Sequence, residues 1–292
     1  MSNPVLAALG RPFRLGIVGG APPSMIGPVH RVASMMDQRF TLLAGMLSSR
    51  PERSRAEGPA IGLAEARCYG SVEELIANER ARDDGIEALA ITTPNDSHAP
   101  YLKLAMSAGL DVMIEKPLCN EFGEAKALRE LAAASGCAVA VTHTYSGYPM
   151  VREMRARPLG GEIGAIRLVQ VEYLAGGLAT AVELGPDADK RWRLKPERSG
   201  PSLVLGDIGT HAHHLVSFVT ARDLRSRAPP GMGCDRAWRP RVGCRECCRH
   251  ARRDPSRWTA SHRQFRHLSR SAIAVVNTTA CWPRVIFTSA EP

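Results

Sequence analysis

The sequence predicts a doubly wound α/β domain followed by the opening of an α+β domain, and three observations carry that prediction. Between residues 11 and 141, short continuous apolar runs alternate with segments of helical spacing, the pattern of βα units around a buried parallel sheet. A glycine-rich turn follows the first of these runs and precedes the first helix. After Pro149 the rhythm changes to a helix and then a long strand of near-alternating polarity.

The predicted strands of the first domain, residues 11–145, are Arg14 to Val18, Thr41 to Leu47, Ile86 to Thr92, Asp111 to Ile114 and Ala138 to Thr142. Helices are expected over Val29 to Asp37, Ser71 to Asn78, Ser97 to Ala108 and Glu121 to Ala134. Ser71 and Ser97 stand where side-chain N-caps are wanted, and Gly109 and Gly136 stand where helices should stop. Residues 146–220 open the second domain. Met150 to Arg157 reads as a helix, Ile166 to Tyr173 as a strand with one wet face, 175 to 202 as a loop rich in Gly, Pro and charge, and Leu205 to Val219 as a helix.

Composition divides the chain of 292 residues at about residue 221. The last 71 residues hold 15 Arg, no Lys and 5 acids, a net charge of +10, while the first 221 residues hold 23 bases and 24 acids, so the chain's net +9 comes from the last 71. They also hold five of the 8 Cys (234, 244, 247, 248 and 281) and three of the 4 Trp (238, 258 and 282). Leu, Ile and Val together number 49 in the first 221 residues and 8 in the last 71, too few there for a packed core. No run of about eighteen apolar residues exists to span a membrane. The segment Met1 to Gly10 lacks the basic start of a signal peptide, so a reducing, cytoplasmic setting is expected, with Cys68, Cys119 and Cys137 as buried apolar thiols.

The turn Gly16-Ile-Val-Gly19-Gly20-Ala-Pro-Pro-Ser-Met-Ile-Gly27 has the chemistry of a diphosphate cradle. Glycines let the backbone turn tightly and let an anion reach the N–H groups of the next helix. Its spacing departs from the usual G-x-G-x-x-G by an insertion carrying two prolines, and a glycine-rich turn after a strand is also simply a turn. At the end of the second strand an acid would bind a ribose 2′-hydroxyl, whereas a base tolerates a 2′-phosphate. Ser48-Ser49-Arg50 stands there with Arg53 nearby and no carboxylate, which leans to NADP over NAD; Arg50, followed by Pro51, also reads as a solvated loop charge.

Two further strand ends carry polar motifs at the carboxyl edge, where such folds bind ligands: Thr93-Pro94-Asn95 with His98, and Glu115-Lys116-Pro117. Lys116 suits a proton donor or an orienting cation, although a lone Lys there is more often a plain loop salt bridge. In Gly206-Asp207-Ile-Gly209-Thr-His211-Ala-His213-His214, Asp207 and His211 are four apart, so a helix places them on one face, and a His positioned by an acid is the usual base for a hydroxyl proton. A metal site built from the three histidines is disfavoured, because His213 and His214 point away from the face of His211.

Taken in order, the glycine-rich turn, Thr93-Pro-Asn with His98, Glu115-Lys116-Pro117, Thr142-His-Thr-Tyr-Ser-Gly-Tyr148-Pro and Gly206-Asp-Ile-Gly-Thr-His211 resemble the Gfo/Idh/MocA oxidoreductases, the glucose–fructose oxidoreductase and inositol dehydrogenase group, over about residues 11 to 220. The resemblance implies an N-terminal Rossmann domain and an α+β substrate and dimerisation domain. It also implies NAD(P)-dependent hydride transfer at a carbinol of a sugar or cyclitol. On it, Lys116 joins the proton-transfer network, Asp207 orients the substrate, His211 is the general base, and His143 and Tyr148 line the substrate pocket. Cofactor contacts fall to Gly16, Gly19, Gly20, Ile26, Ser49, Arg50, Thr93, Pro94, Asn95, His98, Glu115 and Lys116.

The resemblance stops near residue 220, where the family returns to build a large antiparallel sheet that backs the active site and forms its subunit interface. Residues 221–292 show no sustained alternation except a short apolar patch at Ile273 to Val276. One reading is a basic functional tail: Cys244, Cys247, Cys248 and His250 offer metal ligands, and the arginines offer grips for phosphate or nucleic acid. Against it, there is no second well-spaced ligand pair and no regular stacking aromatics. A shifted reading frame in a GC-rich gene fits 15 Arg beside no Lys better, and a divergent disordered end is the third reading. With the sheet missing, Ile166 to Tyr173 is expected to lack most of its strand neighbours, and catalysis to be weak or lost; the alternative is a non-catalytic dinucleotide-binding or inert protein.

Overall fold

The computed structural model describes residues 3–173, 181–185, 188, 191–222 and 284–289, the last of these as backbone only. Two compact units divide the chain. Residues 1–147 with 175–213 form the first, and 148–174 with 214–292 the second. The predicted loop 175–202 therefore counts with the first unit rather than with the second domain.

The first unit begins with helix α1 (Pro4–Leu9), strand β1 (Phe13–Gly19), helix α2 (Ile26–Met35), strand β2 (Phe40–Met46), helix α3 (Pro51–Ala60) and helix α4 (Val72–Arg80). Strand β3 (Ala88–Thr92), helix α5 (His98–Ser107), strand β4 (Asp111–Glu115), helix α6 (Phe122–Ser135) and strand β5 (Val139–Thr142) follow. The five strands are parallel in the order β2-β1-β3-β4-β5, so the direction of sheet growth reverses between β1 and β3. That reversal opens a crevice at the carboxyl ends of β1 and β3. β3 lies at the centre and all five of its residues are buried, as its continuous apolar run requires.

Alternation within the strands supplies both faces of the sheet. Val18, Leu89, Ile91, Val112 and Ile114 pack with Val72 and Leu75 of α4, Leu102 and Met106 of α5 and Leu128 of α6. Leu15, Ile17, Ala88 and Ala90 form the core of the opposite face, flanked by the edge-to-face pair Phe13 and Phe40. Burying one Leu or Ile contributes about 1.5–3 kcal/mol, more than the roughly 1 kcal/mol of a helix cap. Packing therefore sets the start of α5. Its expected cap, Ser97, donates its hydroxyl to Thr93 Oγ1 and the Pro94 carbonyl instead, while Ala99, Leu102 and Ala105 are buried. Ser71 does cap α4, accepting from the Glu74 N–H at 3.1 Å, and Gly136 closes α6 at φ 71°.

Helices α1 and α3 carry no apolar periodicity and were not predicted. α1 buries nothing and rests on the Asn3 cap, which accepts from the N–H groups of Val5 and Leu6. α3 buries only Ser54 and Gly58; the Ser54 hydroxyl accepts from Leu47 N–H at 2.8 Å and donates to the Tyr69 carbonyl at 2.6 Å, fixing the chain after β2. Behind it, Arg67 pairs with the fully buried Glu79, whose Oε1 also accepts from the Tyr69 hydroxyl at 2.7 Å. Only Cys68 of the three expected thiols is buried; Cys119 and Cys137 are half-buried.

Still in the first unit, the short helix α8 (Pro196–Ser199) is tied to the strand-end loops of β3 and β4. The Asn95 amide donates to the Ser199 carbonyl at 3.1 Å, and the Asn120 amide to the Arg198 carbonyl at 3.2 Å. A π-helical turn, Leu205–Gly209, then runs directly into α9 (Thr210–Thr220), whose end counts with the second unit.

The second unit contains α7 (Pro149–Leu159), β6 (Ile166–Glu172), the end of α9 and β7 (Arg284–Ser289). Met154, Leu215 and Val219 are buried, and the Arg155 guanidinium donates to the Phe218 carbonyl beside that residue's ring. β7 pairs antiparallel with β6, from Ile166 opposite Ser289 to Glu172 opposite Arg284. The sequence reading assigned no strand there, although Arg-Val-Ile-Phe-Thr-Ser has the β-branched and aromatic content of one. The patch Ile273 to Val276, the five cysteines of the tail and its three tryptophans lie outside the described residues.

Candidate active site

The glycine-rich turn after β1 has the geometry of a cradle. Gly19 and Gly20 take φ of 83° and 84°, a region that favours glycine. Gly27, in the first turn of α2, lies so close to Gly20 that a Cβ would press on the Gly20 backbone, its carbonyl carbon included at 2.8 Å. Such an approach brings a helix N-terminus against the turn, as a diphosphate requires, so these residues fit a dinucleotide. Ile26 begins α2, three residues ahead of the predicted start at Val29. Gly16 does not belong to the cradle. It lies inside β1, and a Cβ there would meet Ile86 and Leu89, so its role is packing.

At the end of β2, Ser49 and Arg50 are exposed, and Arg50 is the N-cap residue of α3, not part of a free loop. Arg53, on the first turns of that helix, donates to the Pro22 carbonyl of the glycine turn and pairs with Glu57 at 3.4 Å.

The motif after β3 serves position more than direct contact. Thr93 Oγ1 accepts from Ser97, and after Pro94 the buried Asn95 holds Ser199. His98 is 0% exposed, with Nδ1 2.6 Å from the Pro117 carbonyl and Nε2 2.9 Å from the Thr93 carbonyl. Both ring nitrogens of His98, expected among the cofactor contacts, thus lie against protein carbonyls. Burial pushes its imidazole below the ordinary histidine range, outweighing the two carbonyls that favour the charged form. His98 ties the Thr-Pro-Asn and Glu-Lys-Pro loops to each other.

The Glu-Lys-Pro turn also meets the Gly-Asp-Ile-Gly-Thr-His motif. At the end of β4 the Lys116 ammonium binds the Asp207 carboxylate and donates to the Asp207 carbonyl at 2.7 Å, across 91 residues of sequence. Arg193, half exposed, approaches the other carboxylate oxygen at 3.6 Å, with its guanidinium 4.6 Å from the Trp192 ring. Arg193 was missed in the sequence because it falls in the 175–202 stretch, which carries no motif. The salt bridge read as the plain alternative for Lys116 is present, and its partner is the acid of the Gly-Asp-Ile-Gly-Thr-His motif.

Asp207 and His211 do not share an α-helical face. The Thr210 N–H reaches back five residues to the Leu205 carbonyl, so Asp207 sits in a wider turn, and Gly209 leaves the space that the Leu205 side chain occupies. π-Turns of this kind are frequent at functional sites. His211 is buried at 9% exposure, with the Tyr145 ring 4.7 Å and the His143 ring 5.9 Å from its own, both edge-on. His143 therefore stands beside His211, and Tyr145, in the 3₁₀ turn Thr144–Gly147, is a neighbour that sequence reading passed over. Tyr148 starts α7 and belongs to the second unit. Among the described residues no cluster of His, Cys, Asp or Glu is arranged to hold a metal ion, and no helix is long and apolar enough to cross a membrane.

A Lys–Asp pair, a buried imidazole and a glycine cradle along one sheet edge can bind a dinucleotide and move a proton. Residues 13–143 match the oxidoreductase family described as having an NAD-binding Rossmann fold. The chain is 37% identical over 212 residues to the uncharacterized oxidoreductase YfiI of Bacillus subtilis (strain 168), covering 72% of this chain and 54% of that protein. An inositol dehydrogenase homologue from Azotobacter vinelandii, solved with NAD+, is 41% identical with a TM-score of 0.68, over 72% of this chain and 54% of the other. An inositol dehydrogenase homologue from the same organism, solved with NADH and myo-inositol, gives 40% and 0.66, over 72% and 52%. The chain thus spans about half the length of the relatives it matches. By fold, motifs and likeness, the chain belongs to the Gfo/Idh/MocA oxidoreductase family.

Proposed function

We propose that this chain is an NAD(P)-dependent oxidoreductase acting at a carbinol of a sugar or an inositol-like cyclitol. The observation that carries the reading is the Lys116 ammonium seated on the Asp207 carboxylate at the carboxyl edge of the sheet, with the His211 imidazole in the same compact unit. A nicotinamide supplies the hydride acceptor when bound. His211 takes the hydroxyl proton of the substrate, and Lys116 stabilises the oxygen as charge develops on it. Asp207 holds Lys116 and orients the substrate, while His143 and Tyr145 contribute to substrate contacts. Arg50 and the absence of a carboxylate from Ser48-Ser49-Arg50 support a lean to NADP, and Arg53, committed to Pro22 and Glu57, adds less to it. The likeness to a protein solved with NADH and myo-inositol supports the substrate class.

The second reading, a dinucleotide binder without turnover, is favoured by one observation: Leu, Ile and Val number only 8 in the last 71 residues, where the family builds its sheet. In that reading the subunit interface of the family is lost with the sheet. Titration of the full chain with NADH and NADPH, followed by turnover with myo-inositol and a panel of hexoses, separates the two. The enzyme reading expects turnover that falls about 10²-fold or more in His211→Ala. Turnover unchanged in that variant removes His211 from the chemistry, and tight NADH binding with no turnover on any carbinol establishes the second reading.

A further inference from the structure

Glu115 is buried at the end of β4, and its two carboxylate oxygens go in different directions. Oε1 lies 2.8 Å from Nε2 of His30, a buried residue of α2, across 85 residues of sequence. Oε2 accepts the N–H of Lys116 at 3.3 Å. One carboxylate thereby joins the helix that backs the glycine cradle to the residue whose ammonium meets Asp207. A buried carboxylate costs several kcal/mol to desolvate, and an apolar pair of similar volume would hold a helix to a strand at least as well. Helix packing alone therefore does not account for an acid and an imidazole at this place. What the pair adds is direction: hydrogen bonds fix the orientation of a carboxylate where apolar contact would not.

We propose that His30 is a positioning residue of the cofactor site, acting through Glu115 to hold the Glu-Lys-Pro turn in the orientation that receives the nicotinamide half of the dinucleotide. The proposal rests on the cofactor reading given above. In a sheet of order β2-β1-β3-β4-β5 the diphosphate meets the turn after β1, and the nicotinamide half extends over β3 and β4, where Glu115 and Lys116 stand. His30 thus links the diphosphate side of the crevice to its reactive side without touching the cofactor.

The test is fluorescence titration of the full chain with NADH beside calorimetric titration with ADP, which carries the diphosphate but neither the second ribose nor the nicotinamide. His30→Ala should weaken NADH about tenfold while ADP changes less than about twofold, because the lost interaction is a hydrogen bond to a charged group on the nicotinamide side. His30→Gln, which keeps a polar group within reach of Glu115, should restore most of the NADH affinity. Glu115→Gln, which conserves volume and carries the same test if His30→Ala fails to fold, should lose about as much as His30→Ala, and the double variant should lose little more than either. Equal NADH affinity in the wild type and His30→Ala overturns the proposal, as does a parallel loss of NADH and ADP, which would make the pair a mere support of the fold. A wild-type chain that binds ADP but not NADH overturns the cofactor reading itself, and this proposal with it.

Discussion

Replacing Gly27 by Ala is the sharpest test of the cradle. A Cβ at this position would stand 2.8 Å from the Gly20 carbonyl carbon and closer still to the Gly20 Cα and oxygen, where ordinary contact begins at 3.4 Å. The nearest atoms are all backbone, so no side chain can swing aside; α2 and the turn must separate by at least about 0.6 Å, with an overpacking cost of about 1–3 kcal/mol. That displacement lies between the α2 N–H groups proposed to receive the diphosphate and the backbone that faces them. Since a shift of about 1 Å at a positioned group can cost about 10²-fold, NADH affinity should fall by about tenfold to a hundredfold. Gly123→Ala is the control, because a Cβ there meets nothing within 4 Å and Ala favours the helix; NADH affinity should hold, and stability should hold or rise by up to about 1 kcal/mol. The assay is NADH titration of both variants with thermal unfolding alongside. A Gly27→Ala protein that binds NADH as the wild type does, at an unchanged melting temperature, would refute the argument that close approach of α2 to the turn builds the site.

Two further outcomes concern the frame that carries the site. Glu87 accepts from the Arg11 guanidinium at 2.6 and 2.7 Å and from the Arg14 N–H at 3.0 Å, and these contacts hold its carboxyl down at about 2, the Arg11 bonds first among the causes. A carboxylate held low adds stability above its unfolded range and loses it as pH falls from about 4.5 toward 2, so denaturant unfolding of Glu87→Gln should show a shallower loss across that window than the wild type. Glu79 has a fully buried side chain and holds Arg67 and Tyr69; Glu79→Ala leaves the buried Arg67 without it and should cost about 3–5 kcal/mol, read as a lowered denaturant midpoint, while Arg55→Ala, whose exposed pair with Glu74 is worth under about 1 kcal/mol, should leave the midpoint nearly unmoved.

Local pattern made the strands of the first unit readable, because burial on both faces leaves a continuous apolar run, as in Ala-Leu-Ala-Ile-Thr of β3, that no helix face or loop reproduces. It also showed the glycines of the turn and placed Lys116 and His211 in motifs. α1 and α3 escaped notice because a helix that buries little has no period to detect. Arg193 and Tyr145 escaped because proximity to Asp207 and His211 is a property of the folded chain, and the five-residue reach of the Thr210 N–H overrode the four-residue spacing that the sequence suggested.

By itself, then, the order of residues determined the parallel sheet, the cradle at its first turn and the family to which the chain belongs, since each is written in neighbours along the chain. Only the tertiary structure decided that Lys116 meets Asp207, that His98 joins the two strand-end loops, and that His30 takes hold of Glu115. Those pairings are set by which strand ends and helices the sheet order brings together. Each partner carries a charge or a polar nitrogen that would suit solvent equally well, so nothing in the surrounding sequence announces it.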